Sequence, residues 1–211
     1  IYNELKRQGH EVMGIDLKDG DNILDWKYAN ISMKWEKFKP EYIFHLAAFP
    51  RVAYSVEHPV EVIENNVLSS LYVLELARAV GTKRVIYSSS SSVVGNGDGP
   101  ENPYGASKYM PESMHGVWSK LYGVDTVCLR YFNVYSPDQQ ADGPYATAVA
   151  NWMQFIRDGK TPFITGDGEQ RRDMAHKMDI VSANLFCMEY PTAFGGQWFD
   201  VGTSDNISLN E

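Results

Sequence analysis

The chain has 211 residues, 44% of them hydrophobic and 22% charged, and a net charge of −8 at pH 7. This is ample for one packed core and marginal for two domains, and five Trp, 13 Tyr and nine Phe exclude a disordered chain. The acidic balance argues against nucleic acid or an anionic membrane as partner, while leaving room for a small anion met by local Arg residues and helix N-termini.

Ile1–Gly9 reads as a helix already under way, with Gly9 suited to its C-cap. Glu11–Asp16 is a short apolar run ending in an acid and is predicted to be a buried strand. Pro40–Ala48, built on Tyr42-Ile43-Phe44-His45-Leu46-Ala47-Ala48, is a second strand. Val60–Val80 has the period of a helix, with Val60, Ile63, Val67, Leu71, Leu74 and Ala77 on one face. The strand Lys83–Ser88 runs into a cluster of serines, and Gly95–Pro100 is a loop. Tyr104–Tyr122 is a long helix ending at Gly123, Thr126–Phe132 a strand, and Ala146–Asp158 a helix ending at Gly159. Ile207–Glu211 reads as the start of another helix, with Ser208 as its N-cap. Apolar strands alternating with helices predict a parallel sheet covered on both faces. Functional residues should then lie just beyond the carboxyl ends of the strands.

No run of 18 apolar residues occurs and no signal peptide is visible. Cys128 and Cys187 lie far apart and outside any CxxC or Cys/His cluster. They are expected as buried thiols of a reducing, cytoplasmic compartment, with no metal site.

The sharpest local signal is Pro103-Tyr104-Gly105-Ala106-Ser107-Lys108. Tyr and Lys four apart share a helix face. A Tyr with a pKa of about 10 is a poor base at neutral pH, but a nearby ammonium stabilises the phenolate. Such a group can take a proton from an alcohol while hydride leaves the same carbon. A neighbouring Ser hydroxyl can hold the substrate oxygen. The spacing alone occurs often by chance, so its surroundings decide its meaning.

Those surroundings resemble the extended short-chain dehydrogenase/reductase family, the sugar-nucleotide epimerases and dehydratases. The matching pieces run in the family's order: His45-Leu46-Ala47-Ala48, Asn65-Asn66-Val67, Tyr87–Gly95, Pro103–Lys108, Leu129-Arg130-Tyr131-Phe132-Asn133, Gly166–Asp173 and Asp200-Val201-Gly202-Thr203. The resemblance implies a doubly wound Rossmann-type sheet over residues 1–133, with NAD as cofactor. Residues 134–211 would supply part of a small substrate-capping region and late elements of the sheet. It implies Ser90, Tyr104 and Lys108 as the catalytic trio. Asp16 would bond the adenosine ribose and favour NAD over NADP, since a 2′-phosphate would meet a carboxylate. Asp25 and Trp26 would lie beside the adenine. Leu46, Ala47 and Ala48 would pass the pyrophosphate and ribose, and Asn66 would brace the cofactor-binding loops. Ser88, Tyr131 and Phe132 would line the cofactor, with Tyr104 and Lys108 on its nicotinamide ribose. Ser90, Tyr104, Asn133 and Arg172 would meet the substrate, Arg172 through a bidentate grip on its diphosphate. A homodimer through the helix of Tyr104 and the helix Val60–Val80 is also implied, with Met110, Met114, Val117 and Leu121 available for it.

Several departures bear on the reaction. Family members that eliminate water carry Asp-Glu after the catalytic Ser, and decarboxylases tend to keep the Glu; this chain has Ser91 and Ser92. That points to simple epimerisation, most often at C4 of a UDP-hexose, with a dehydratase, decarboxylase or reductase on the same scaffold, or a non-catalytic NAD- and nucleotide-sugar-binding protein, as the alternatives. Val94 replaces a usual Tyr, and Met174 and Lys177 replace an aromatic and an apolar residue near Arg172. His176 is expected to be structural. The family's first strand and its GxxGxxG phosphate loop would precede Ile1, and without that loop NAD binding should be weak.

Overall fold

A computed structural model describes residues 1–25, 29–139 and 147–211, with the side chains of 29–32 left aside; Trp26 and Ala146 lie outside these residues. The central sheet is built from the most apolar segments. β1 (Tyr42–His45), β2 (Arg84–Ser90), β3 (Asp125–Tyr131) and β6 (Gln197–Val201) pair in that order. All three pairings are parallel, with Tyr42 opposite Arg84, Val85 opposite Thr126 and Val127 opposite Gln197. Every residue of β2 is buried, as expected of a strand covered on both faces.

Side-chain alternation along β2 divides the core. Val85 joins Ile43, Val73, Leu76, Ala77 and Val124 on one face, while Ile86 joins Val127, Leu129, Cys187 and Phe194 on the other. The first face is covered by α2 (Ala29–Phe38), α4 (Pro59–Val80) and α5 (Pro103–Tyr122). The second is covered by α7 (Lys177–Glu189). Arg84 fastens α7 to the sheet: its Nε donates to Asp125 at 2.5 Å, and its guanidinium donates to the carbonyls of Cys187, Tyr190 and Thr192. A smaller sheet joins β4 (Asn133–Tyr135) parallel to β5 (Arg171–His176), and β5 antiparallel to β7 (Asn206–Ser208). The remaining helices are α1 (Tyr2–Arg7), α3 (Val52–Glu57) and α6 (Ala148–Arg157).

The helix ends carry the expected signals. Pro59 and Pro103 stand in the first turns of α4 and α5, and Gly81 and Gly123 close them in the left-handed conformation. Asn102 caps α5 by accepting from Gly105 N at 2.9 Å.

Three expectations are corrected. Glu11–Asp16 is extended, with Val12 packing toward one core and Met13 and Ile15 toward the other. It forms no ladder, because no described strand lies beside it to pair with. The buried face of α4 shares Leu74 and Ala77 with the apolar stripe beginning at Val60, but Val60 itself is 67% exposed. The buried residues are Val62, Asn66, Ser69, Ser70, Val73, Leu74, Leu76 and Ala77. Asn66, Ser69 and Ser70 are polar residues buried by hydrogen bonds, which hydrophobic periodicity does not register. Ile207 lies in a strand. Ser208 nevertheless forms the reciprocal bonds of a capping box, its N donating to Glu211 Oε2 at 2.8 Å and its Oγ accepting from Glu211 N at 3.3 Å.

Candidate active site

The carboxyl end of β2 and the first turns of α5 are brought together by close backbone approach. A Cβ on Gly105 would come within 2.5 Å of the Ser92 carbonyl, so any side chain there would push the helix off the serine turn. Ser55, on α3, fixes the helix start by accepting from Tyr104 N at 3.0 Å. Ser107 Oγ donates to Tyr104 O at 2.7 Å and accepts from Asn66 Nδ2 at 2.8 Å. Asn66 also accepts from Phe49 N at 2.7 Å and donates to Phe49 O at 3.2 Å. One buried amide thus joins α4, α5 and the loop after β1.

Ser90 and Tyr104 meet within this frame. Ser90 Oγ accepts from Ser92 N at 3.2 Å, which leaves its hydroxyl hydrogen free to turn toward the Tyr104 phenol. Burial raises the Tyr104 pKa, and the neighbouring Ser90 hydroxyl opposes that rise. Lys108, one turn along α5, is buried and donates to Ser88 O at 2.9 Å. Burial lowers its pKa to about 8.

The chain continues from Lys108 to the rest of the strand end. Ser88 Oγ lies 2.9 Å from Tyr131 Oη, and Asn184 Nδ2 on α7 donates to that oxygen at 2.7 Å. Ser89 Oγ donates to Glu112 Oε1 at 2.6 Å, and Arg130 grips the same carboxylate at 2.9 and 2.7 Å. Arg130 also stacks over Trp198, 3.6 Å from the ring centre. Ser55, Glu112 and Asn184 were not singled out in the sequence. Glu112 had a usable signal, lying four and eight residues beyond Lys108 and Tyr104 on the same helix face; Ser55 and Asn184 had none.

The candidate cofactor residues lie along the strand ends. Leu46 and Ala47 are exposed just after β1, and Ala48 is half-buried. Asp16 is exposed, accepts from Lys18 N at 3.0 Å and holds its carboxyl below the ordinary value through that bond. Asp25 is exposed in a short turn. Small residues after β1, an available carboxylate at Asp16 and a loop pinned by Asn66 fit a dinucleotide laid across the carboxyl ends of the strands. Phe132 leads from β3 into the smaller sheet, which Asn133 begins and where Asn133 Nδ2 donates to Asp173 O at 2.9 Å.

Arg172 is not drawn into the trio. It is exposed on β5, and its guanidinium donates to Arg171 O at 2.7 Å. Asp173 beside it is buried and accepts from Thr203 N, Thr203 Oγ1 and Ser204 N at 2.8 Å each. This holds Ser204 at a positive φ of 62°. Met174, on the same strand face as Arg172, lines an open cavity of about 390 Å³ with Tyr135, Val149, Thr203, Asp205 and Ile207. His176 packs edge-on against Tyr135 and caps α7.

The charge on Lys108 can be separated from the fold. Its folded pKa, about 8, lies below the ordinary lysine value of 10.5. The unfolded chain therefore binds more protons between those values, and this group's stability contribution is full above 10.5 and lost as pH falls through 8. Lys108→Met is expected to be as stable as the parent, or more so, at pH 7, with the difference shrinking toward pH 10. Denaturant titrations at the two pH values check this.

The comparisons agree with this geometry. The model of a family described as "NAD dependent epimerase/dehydratase family" matches residues 1–202. A protein of Methanocaldococcus jannaschii named a putative UDP-glucose 4-epimerase is 30% identical over 95% of this chain and 65% of its own length. The chain therefore spans about two thirds of that relative. A UDP-N-acetyl-alpha-D-glucosaminuronate decarboxylase of Bacillus cytotoxicus is 30% identical over 80% of this chain and 56% of its own. A crystal structure of UDP-glucose 4-epimerase with UDP-glucose, from Thermotoga maritima, superimposes with a TM-score of 0.87 at 30% identity, covering 99% of this chain and 74% of that one.

Proposed function

Because the chain belongs to the NAD dependent epimerase/dehydratase family, we propose that it epimerises a nucleotide sugar, at C4 of a UDP-hexose. The observation that carries this reading is the Ser90–Tyr104 pair at the end of β2, followed by Ser91 and Ser92 where an eliminating enzyme would need carboxylates. Bound NAD would supply the hydride acceptor opposite C4 and return the hydride to the other face of the sugar. Tyr104 takes the proton of the 4-hydroxyl and gives it back when the 4-keto sugar has turned over. Ser90 donates to the 4-oxygen through both halves of the cycle. Lys108 holds the ribose and its positive charge favours the Tyr104 phenolate once both face the ligand. Asp16, Leu46, Ala47, Ala48 and Asn66 form the cofactor side within residues 1–133. Asn133, at the end of the first region, forms the substrate side together with Arg172 and the cavity at Met174 within 134–211.

The test uses the natural full-length protein containing these residues, incubated with UDP-galactose, UDP-N-acetylgalactosamine and UDP-glucuronate in turn. Anomeric-proton NMR should show a C4 epimer of one of them. A decarboxylated product would instead place the protein with the Bacillus cytotoxicus relative, and a 4-keto-6-deoxy product with the dehydratases.

The proposal includes a homodimer. Met110, Val117 and Leu121 on α5 are 46%, 43% and 70% exposed, beside Leu68 on α4 at 36%. A stripe of this kind on adjacent helices is costly to leave in water. Val117→Glu with Leu121→Glu is expected to halve the mass seen by sedimentation; a parent protein already monomeric would refute the dimer.

A further inference from the structure

Lys108 is a buried ammonium that no carboxylate partners among the described residues. Its one hydrogen bond runs to Ser88 O at 2.9 Å. An isolated buried cation is costly, so something else must hold it. An electron-rich surface lies beside it in Tyr87, whose ring centre is 5.1 Å from Lys108 Nζ.

That ring is fixed from several sides. His115, on α5, stacks on it at 4.8 Å with an interplanar angle of 23°. His45, on β1, lies 5.5 Å away at 34°, and its Nε2 is 3.0 Å from Ser70 Oγ. The Tyr87 hydroxyl makes a long contact, 3.5 Å, with the carbonyl of Lys108 itself. Tyr87 and His115 are fully buried. Both imidazoles stay neutral: burial drives the His115 pKa down to about 3, and burial with the Lys108 charge drives His45 well below its ordinary value. Burial drives the Tyr87 pKa well above its ordinary value, so the phenol too is uncharged. Of the titratable groups packed around Lys108, His45, Tyr87, Tyr104 and His115 therefore bring no second charge near neutral pH, and the Glu112 carboxylate one turn along α5 is already held by Arg130.

We propose that Tyr87 is a positioning residue for Lys108, its ring face supplying the attraction that keeps the ammonium charged and aimed at the end of β2. A cation over an aromatic face gains most where water is excluded, and this face is held by a three-ring stack spanning β1, β2 and α5. The catalytic consequence rests on the proposed role of Lys108; the placement does not.

The experiment reads Lys108 directly. NMR of ¹⁵N-labelled lysine in the full-length protein, with Lys108 assigned by its loss in Lys108→Met, gives its titration midpoint. Tyr87→Phe and phenylalanines carrying one, two and three ring fluorines at position 87 weaken the ring face stepwise at nearly constant volume. Tyr87→Phe should titrate within about twofold of the parent, and the proton affinity of Lys108 should fall progressively, by about tenfold across the series. The alkaline limb of the rate–pH profile should move down with it. A midpoint unmoved by fluorination overturns the proposal. So does a full drop on removing the hydroxyl alone, which would assign the effect to the contact with the Lys108 carbonyl. A stepwise fall in a protein that turns over no sugar upholds the placement and sinks only the epimerase reading.

Discussion

Tyr104→Phe is expected to lower turnover by about a thousandfold while leaving the fold intact. In the proposed mechanism the phenol oxygen exchanges the proton of the sugar hydroxyl, and a positioned acid–base group contributes roughly 10²–10⁴. The side chain is 9% exposed, and its ring packing survives the substitution. The bonds that fix α5 in place, from Tyr104 N to Ser55 and from Ser107 to Tyr104 O, use the backbone and are unaffected. Circular dichroism should match the parent, and the sugar NMR assay should show the loss. Ser90→Ala is the milder companion, since it removes a donor to the same oxygen. Full activity in Tyr104→Phe would remove the assignment of the acid–base group.

Glu112→Leu is expected to cost about 3–5 kcal/mol of stability, because it strands a buried arginine. Arg130 is 7% exposed and places both arms of its guanidinium on the Glu112 carboxylate. Ser89 loses its acceptor at the same time. The double change Glu112→Leu with Arg130→Met should recover much of the loss, since a buried pair replaced by apolar residues is often neutral. Urea unfolding of the three proteins decides it. A single variant as stable as the parent would mean that water reaches Arg130. Glu112 also ties α5 to β2 and β3 one turn beyond Lys108, so the single variant should lose turnover out of proportion to substrate affinity.

The parts legible in the sequence were those with a period or a fixed spacing. Strands β1, β2 and β3 appeared as apolar runs between turn residues. Tyr104 and Lys108 lay four apart at the start of a helix, and the serine run gave the strand end that faces them. What escaped has a common physical cause: the residues are buried through hydrogen bonds rather than through apolar area. The face of α4 that packs inward carries Asn66, Ser69 and Ser70, so counting apolar positions found its Leu74 and Ala77 but began the stripe at exposed Val60 and passed over the buried polar residues. Tyr87 and His115 read in sequence as ordinary residues of a strand and a helix. Their meaning comes from stacking beneath Lys108, a contact between elements that no local spacing encodes. Glu11–Asp16 has the composition of a strand, but a strand is defined by its neighbours, and composition does not supply them. Arg172 illustrates the opposite limit, a residue named by resemblance whose guanidinium, on exposed β5, turns to its own chain at Arg171 O.

The central claim is that hydride leaves C4 of the sugar and returns to the same carbon from the other side while Tyr104 carries the proton. The measurement that tests it most directly is turnover of a UDP-hexose deuterated at C4, with NAD, by the full-length protein. The account predicts that the deuterium remains at C4 in the epimerised product, with none appearing in water. Deuterium lost to solvent, or transferred to another carbon of the product, would contradict it.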